Sequence, residues 1–257
     1  MMRRIRLIIS YDGTAYVGWQ TQPNGVSIQE TIEHALSSVT KEHITLHGSG
    51  RTDSGVHAFA QVAHFDTEAR MPADKIAIAT NMFLPPDIRI LFSEECSMDF
   101  HSRFSSKRKE YRYRIHIGTH SDVFSRNTAL QLHHVPDFRI LNDAARELIG
   151  EHDFHAFMST GTSIDYTVRT IYKSEWIKEG PYMIYCVCGN GFLYNMVRIM
   201  VGTMLEIAFG NLPFTAISSA FSTGERSDLG PTAPAKGLAL YRVIYDDFDT
   251  SEVLSHG

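Results

Sequence analysis

The stretch Gly48-Ser49-Gly50-Arg51-Thr52-Asp53-Ser54-Gly55-Val56-His57-Ala58 lies between two runs that read as strands, Ile44-Thr45-Leu46 before it and Gln61-Val62-Ala63-His64-Phe65 after it. Its glycines admit left-handed or strained backbone that other residues resist. Between them stand one cation, Arg51, and one carboxylate, Asp53. A strand connection that spends glycine and charge in this way is more often a site than a linker. An Asp in a Gly/Ser loop also serves simply to bond nearby amides. The loop by itself leaves both readings of Asp53 open.

Working outward, residues 4–11 read as a strand stopped by the turn Asp12-Gly13. The loop that follows is aromatic, and Tyr16 and Trp19 read as covers of the core edge before they read as platforms for bases. Ser27-Ile28-Gln29-Glu30 forms a capping box, and Ile28, Ile32, Ala35, Leu36 and Val39 then share one helical face. The two strands around the loop are expected at 44–48 and 60–66. A second helix is expected from Pro72 to about Phe83, where Pro85-Pro86 breaks it. A strand over 87–97 closes a β-α-β-β-α-β unit of ferredoxin-like order.

The remainder repeats that order without residue-level repetition. Residues 107–118 read as a strand, and Asp137 opens a helix with Phe138, Leu141, Ala145 and Leu148 on one face. Strands over 168–178 and 182–189 meet at the turn Glu179-Gly180-Pro181. Residues 194–209 form a helix apolar almost all round, hence buried, and 238–245 form a last strand. Insertions fall near 119–135, 150–166 and 211–237. The expected class is α+β: two ferredoxin-like (RRM-like) halves, 1–103 and 104–257, joined into one extended, mostly antiparallel sheet with helices on one side. The run Asp246-Asp247-Phe248-Asp249 reads as an acidic, solvated tail.

The chain has 257 residues, 43% hydrophobic and 21% charged, the balance of a globular protein with a real core. Its net charge of −5 gives no support to a nucleic-acid partner; the distribution of charge does. Arg103, Lys107, Arg108, Lys109, Arg112 and Arg114 gather against the single acid Glu110, with Tyr111 and Tyr113 interleaved. Alternation on a strand sends Lys109, Tyr111 and Tyr113 one way and Arg108, Glu110, Arg112 and Arg114 the other. Cations that track phosphates beside an aromatic ring that stacks on a base make an RNA-binding composition. A solvated strand face has the same letters.

Arg198 is the other informative charge, standing in Met196-Val197-Arg198-Ile199-Met200-Val201 with no acid within a turn. Such a guanidinium either snorkels to water or finds a distant carboxylate; the sharper expectation pairs it with Asp53, which an Arg neighbour would keep ionised. Three scattered cysteines, Cys96, Cys186 and Cys188, are too few for a disulfide framework and point to a reducing, cytoplasmic setting, with Cys186 and Cys188 on one buried strand face. The histidines do not fall at metal-ligand spacing, so no metal is expected. No phosphate-binding loop, nucleophile elbow, signal peptide or membrane span is read.

Five stretches together resemble the TruA family of tRNA pseudouridine synthases. They are Gly50 to Ala58; Tyr11-Asp12-Gly13-Thr14 with Gly18-Trp19-Gln20; Lys109-Glu110-Tyr111-Arg112-Tyr113; Gly191-Phe192-Leu193-Tyr194-Asn195-Met196-Val197-Arg198; and Gly230-Pro231-Thr232-Ala233-Pro234 with Gly237-Leu238. Phe154-His155-Ala156-Phe157 matches loosely, with Ala156 where a hydroxyl is expected. The resemblance implies an isomerase that detaches uracil from ribose in the anticodon arm of tRNA, at positions 38, 39 and 40, and rejoins it through C5 without a cofactor. It implies that Asp53 is the essential carboxylate, that Arg51 helps extrude the nucleotide, and that Tyr111 packs on the flipped base. Arg198 would pair with the Asp, and Leu238 would wall the pocket. Arg103, Lys107, Arg108 and Arg112 are the expected phosphate contacts. The implied state is a homodimer with tRNA lying across both subunits, which lets an acidic chain build one basic cleft. A non-catalytic RNA-binding protein that uses the basic, aromatic sheet surface is the alternative.

Overall fold

The computed structural model describes residues 1–159 and 165–255. In chain order its elements begin with β1 (Arg3–Tyr11), α1 (Ile28–Thr40), β2 (His47–Gly48), β3 (His57–Thr67), α2 (Ala73–Asn81) and β4 (Ile88–Cys96). They continue with β5 (Arg108–Ile117), β6 (Leu130–Leu132), α3 (Phe138–Arg146), β7 (Gly150–Asp153), β8 (Val168–Glu179) and β9 (Tyr182–Gly189). The last are α4 (Met196–Ala208), α5 (Ala216–Thr223), β10 (Leu238–Ile244) and α6 (Thr250–Ser255). The class is α+β with mostly antiparallel strand pairs, as the periodicities indicate. The chain divides into two compact units, Met1–Lys109 with Ala239–Gly257, and Glu110–Leu238. The first boundary falls six residues after the expected one, and the last strand and the tail cluster with the first unit.

In the first unit the strand order β4-β1-β3 is antiparallel throughout, and the free edge of β3 is shared by two partners. β2 pairs antiparallel at His64 and Ala63, while β10 pairs parallel at His57 and Ala58. Ile5, Leu7, Ile8 and Ile9 of β1 are fully buried, the near-continuous apolar run of a strand covered on both faces. The Ser27 side chain caps α1 by accepting from the Glu30 amide at 3.2 Å, and Ile28, Ile32, Ala35 and Leu36 turn inward. α2 is held to β4 by its side chains: Asn81 exchanges two bonds with Ile90, at 2.8 and 2.9 Å.

In the second unit the order is β5-β9-β8-β7, with β6 parallel to β5 at Ile115, His116 and Ile117. β8 and β9 form the expected hairpin, turned at Gly180 with φ +57°. Asp137 caps α3 by accepting from the amides of Arg139 and Ile140 at 2.8 and 3.2 Å. α4 is buried at ten of its thirteen positions, as its apolar circumference requires. It approaches its neighbours closely at Gly202, where a Cβ would lie 1.8 Å from the Pro231 carbonyl oxygen.

One expectation is corrected and two are refined. The strand over 44–48 contracts to His47–Gly48, because α1 side chains take the backbone groups a ladder would use. The Leu46 amide donates to Glu33 Oε1 at 2.8 Å, and its carbonyl accepts from Gln29 Nε2 at 3.1 Å. The acidic run 246–249 is solvated at Asp246 and Asp247, as expected, but is also tied down: Asp246 pairs with Lys107 at 3.0 Å, Asp247 faces Arg6 at 3.7 Å, and Asp249 pairs with Arg242. Phe248 is buried with the Arg6 guanidinium 3.7 Å above its ring. The insertions near 119–135 and 150–166 carry the short strands β6 and β7, and part of the second, residues 160–164, lies outside the described residues. Cys186 and Cys188 are buried as expected, and Tyr16 and Trp19 belong to the core. Among the described residues no helix is long and apolar enough to cross a membrane.

Candidate active site

The glycine loop of the first unit is clamped from behind at Ser49, Gly50 and Thr52. The Ser49 amide donates to the Val62 carbonyl at 2.7 Å, and its hydroxyl donates to Gln61 Oε1 at 2.7 Å. Gln61, fully buried, donates in turn to the Gly50 carbonyl at 2.7 Å. The Thr52 hydroxyl meets the Tyr11 hydroxyl at 2.7 Å in a buried pair, and the Thr52 carbonyl accepts from the Trp19 amide at 3.0 Å. Beyond Asp53, its own carbonyl accepts from the Val56 amide at 3.1 Å, closing a turn that carries Gly55 at φ +75°. With Ser49, Thr52 and Val56 held inside, Arg51 is left exposed and Asp53 half-buried at the surface of the loop.

The partners of this loop explain two glycines outside it. At Gly18, with φ +115°, a Cβ would stand 2.7 Å from the Thr52 carbonyl oxygen. At Gly13 it would stand 2.0 Å from the Val56 carbonyl oxygen, and the Gly13 amide donates to the buried His57 Nδ1 at 3.1 Å. The aromatic opening loop is therefore the floor on which the carboxylate loop rests. Buried polar groups satisfied in this way fix a backbone shape that exposed loops lack.

In the second unit β5 presents Tyr111 and Tyr113 to the interior by alternation. Tyr111 meets the Phe192 ring edge-on, with centroids 5.1 Å apart. Tyr113 donates to the Pro234 carbonyl at 2.8 Å, and burial holds its hydroxyl well above the usual phenol range while the Arg198 charge works the other way. Gly237 is required here, since a Cβ would come within 2.6 Å of the Tyr113 ring. Arg198, in the first turn of α4, donates through Nε to the Ala233 carbonyl and through Nη1 to Asn195 Oδ1, each at 2.7 Å. Asn195 adopts φ 62° and donates to the Ser159 hydroxyl at 2.9 Å. Asn is one of the few residues other than Gly that enters the left-handed region routinely. The Ala233 amide returns a bond to the Arg198 carbonyl at 3.0 Å, so the 230–234 strap and the helix start are tied both ways.

Of the expected residues, Arg51 and Asp53 share one loop of the first unit, while Tyr111 and Arg198 belong to the second. Leu238 is buried at the start of β10. Arg103, Lys107 and Arg108 are exposed, and Arg112, half-buried, donates to Glu110 at 2.9 Å. Lys107 and Arg112 thus already hold a carboxylate, Asp246 and Glu110 respectively. Sequence reasoning missed the support residues Tyr11, Thr52, Gln61, Asn195 and Ser159. Only Asn195, a left-handed residue ahead of a helix, carried a usable signal. Among the described residues no group of three or more His, Cys, Asp or Glu is arranged to hold a metal ion.

The sequence matches the tRNA pseudouridine synthase family over residues 7–105 and 144–246. A tRNA pseudouridine synthase A of Ruminiclostridium cellulolyticum is 44% identical over 245 residues, covering 95% of this chain and all of the relative. Its counterparts in a Geobacillus species and in Anoxybacillus flavithermus are 44% and 45% identical, each covering 96% of this chain and all of the relative. A solved archaeal box H/ACA sRNP Nop10-Cbf5 complex aligns at a TM-score of 0.37 and 12% identity, over 79% of this chain and 42% of that one, a distant likeness. The class of protein these matches define is an isomerase of tRNA uridine. The chain belongs to the tRNA pseudouridine synthase family.

Proposed function

We propose that this chain converts uridine to pseudouridine in the anticodon arm of tRNA, with Asp53 as the essential carboxylate. The observation that carries the assignment of Asp53 is its loop: side chains and amides satisfied from behind hold Thr52 and Val56 and leave the carboxylate at the surface. A preorganised charge of this kind is what a reacting centre requires. The reaction breaks the N1–C1′ bond of uridine, rotates the uracil and joins C5 to C1′. The C5 hydrogen leaves as a proton and N1 gains one, so atoms balance with no redox change.

In this reading Arg51 helps draw the nucleotide out of its stack, a step needed because the glycosidic bond is inaccessible there. Tyr111 packs on the flipped base, Leu238 walls the base pocket, and Arg198 is the cation assigned to the Asp53 carboxylate. Arg103, Lys107, Arg108 and Arg112 contact phosphates. The active form is a homodimer in the cytoplasm, with tRNA lying across both copies. The test is tritium release from a tRNA transcript labelled at uridine C5. Wild type is expected to release it and Asp53→Asn to fall by a thousandfold or more, a loss of about 4 kcal/mol of transition-state stabilisation. Equal release by both proteins rejects the assignment. Tight tRNA binding with no release by either favours a binding protein that uses the basic strand.

A further inference from the structure

The second residue of β5 is a lysine on the wrong side of the strand for a solvated cation. Lys109 points inward with Tyr111 and Tyr113 and is 8% exposed. Its ammonium donates to the Ser106 hydroxyl at 2.7 Å, and the Ser106 hydroxyl itself donates to the Arg103 carbonyl at 2.9 Å. An ammonium has three donors, so two remain to be used. Among the described residues no carboxylate lies within ion-pair distance of Lys109. Other cations of the first unit hold carboxylates: Arg4 has Asp66, Arg6 has Glu94, Lys107 has Asp246 and Arg242 has Asp249.

A buried cation without an anion is costly, and here a second cation makes it worse. The one charged group that acts on Lys109 among the described residues is Arg103, from the turn before the strand, and the remaining polar neighbour is the neutral Ser106. Burial first, and the Arg103 charge second, push the amine down to about 8. The fitting ligand is therefore an anion. The same turn says which kind. Phe104 is 76% exposed, an unusual position for a phenyl ring, and is backed by His101 with centroids 4.4 Å apart. The Arg103 guanidinium lies 5.6 Å from that ring's centre. A flat open ring beside paired cations suits a nucleotide, with base on ring and phosphate on cation, better than a small inorganic anion.

The turn is also stiff enough to be a site. The Ser105 amide donates to the His101 carbonyl at 2.9 Å, and the His101 amide donates to the Ser105 hydroxyl at 3.0 Å. We infer that Lys109, with Arg103 and the Ser106 hydroxyl, forms a built subsite for one backbone phosphate of the RNA substrate, whose neighbouring base stacks on Phe104. This rests on the reading that the substrate is tRNA. Lys109 then serves as an anion ligand whose own buried charge is satisfied only in the complex.

The experiment is equilibrium binding of an unmodified tRNA transcript between pH 6.5 and 9.5, at several salt concentrations, for wild type, Lys109→Met and Lys109→Arg. Methionine fills the same buried volume, and thermal melting confirms that each variant is folded. Free Lys109 loses its proton as pH rises through about 8, whereas the phosphate keeps it protonated in the complex. Wild-type affinity is therefore expected to be full below that value and to fall by up to tenfold per pH unit above it. Lys109→Arg should bind as tightly at neutral pH and stay flat across the range, because guanidinium does not titrate there. Lys109→Met should bind weakly at every pH, with a salt slope shallower by about 0.7 to 0.9. Retention of the wild-type pH profile and salt slope in Lys109→Met overturns the subsite. If wild type binds tRNA and releases tritium while Lys109→Met is unaltered, only the subsite falls; if wild type does not bind tRNA, both readings fall.

Discussion

The Tyr11 hydroxyl and the Thr52 hydroxyl stand 2.7 Å apart in the interior, so the first strand reaches the residue that precedes the candidate catalytic Asp53. The bond is local to the loop but distant in sequence, and it holds the loop without touching either charged side chain. Tyr11→Phe leaves a buried hydroxyl on Thr52 without its partner, a loss of about 1–3 kcal/mol. The denaturation midpoint should fall accordingly. The rate of tritium release at saturating tRNA should fall with it while KM changes little, because the loop that positions Asp53 loosens and the proposed phosphate contacts do not. An unaltered rate in a destabilised Tyr11→Phe enzyme would show that Ser49 and Gln61 hold the loop unaided.

Asn195 offers a cleaner separation of backbone from side chain. Its φ of 62° is cheap for Gly and strained for Ala, by about 1–2 kcal/mol. Asn195→Gly is expected to melt near wild type, whereas Asn195→Ala should lose that amount. Both remove the Oδ1 that accepts from Arg198 Nη1, so if Arg198 acts as proposed both should lose activity to a similar degree, roughly tenfold or more for a mispositioned cation. Activity that tracks stability across the pair would assign Asn195 to folding alone.

Acid stability should depend on His64. Its Nδ1 accepts from the Ser102 amide at 3.2 Å, and His47 and His101 crowd its ring, with centroids at 5.0 and 4.7 Å. Burial first, then the charges of Arg4, His101 and His47 against the opposing Asp66, hold it down at about 3. The unfolded chain takes up that proton near 6.5, well before the folded one does. Stability is thus intact above 6.5 and falls as pH drops towards 3, with a limiting slope of about 1.4 kcal/mol per pH unit from this group. His64→Asn keeps an acceptor where Nδ1 stood and does not titrate. Denaturant melts between pH 3 and 7 should show a flatter acid limb for that variant, and an identical limb would assign acid loss to other groups.

Lys107, a proposed phosphate contact, holds Asp246 at 3.0 Å, both side chains being largely in solvent. Exposed pairs of this kind are worth at most about 1 kcal/mol, so the pair competes weakly with a phosphate. Asp246→Asn is expected to raise tRNA affinity by up to about fivefold at low salt, and the gain should vanish as salt rises. Lys107→Gln should lower affinity and remove about 0.7 to 0.9 from the salt slope. A salt slope unaffected by either substitution would take Lys107 out of the RNA-binding surface.

Several elements were legible because one local rule governed each. The Ser27 capping box marked the start of α1, the apolar circumference of 194–209 marked α4 as buried, and Asp137 announced α3. What was not legible depended on partners far along the chain. The strand expected over 44–48 shrank because Glu33 and Gln29, on a helix, took the backbone groups of Leu46. The ion pairs of the acidic run 246–249 were not legible because its cations, Arg6 and Lys107, lie more than a hundred residues upstream. For the candidate site, charge and glycine single out Asp53 and Arg198 in the sequence. Nothing singles out Tyr11, Thr52 and Gln61, since their contribution is made where no pattern of charge or period reports it.

The pairing of β10 with His57 and Ala58 has a consequence for synthesis on the ribosome. The first unit is discontinuous: 129 residues, Glu110–Leu238, are made between its two parts. The candidate carboxylate loop emerges early, yet the strand beside its exit and the carboxylate that faces Arg6 emerge last. During that interval the edge of β3 next to the loop is unpaired, and Arg6 waits without Asp247 and Phe248. Nascent chains released before residue 239 therefore expose an open strand edge, a target for chaperones and proteases. The order of manufacture makes the finished loop scaffold a property of chains translated through β10 and Phe248.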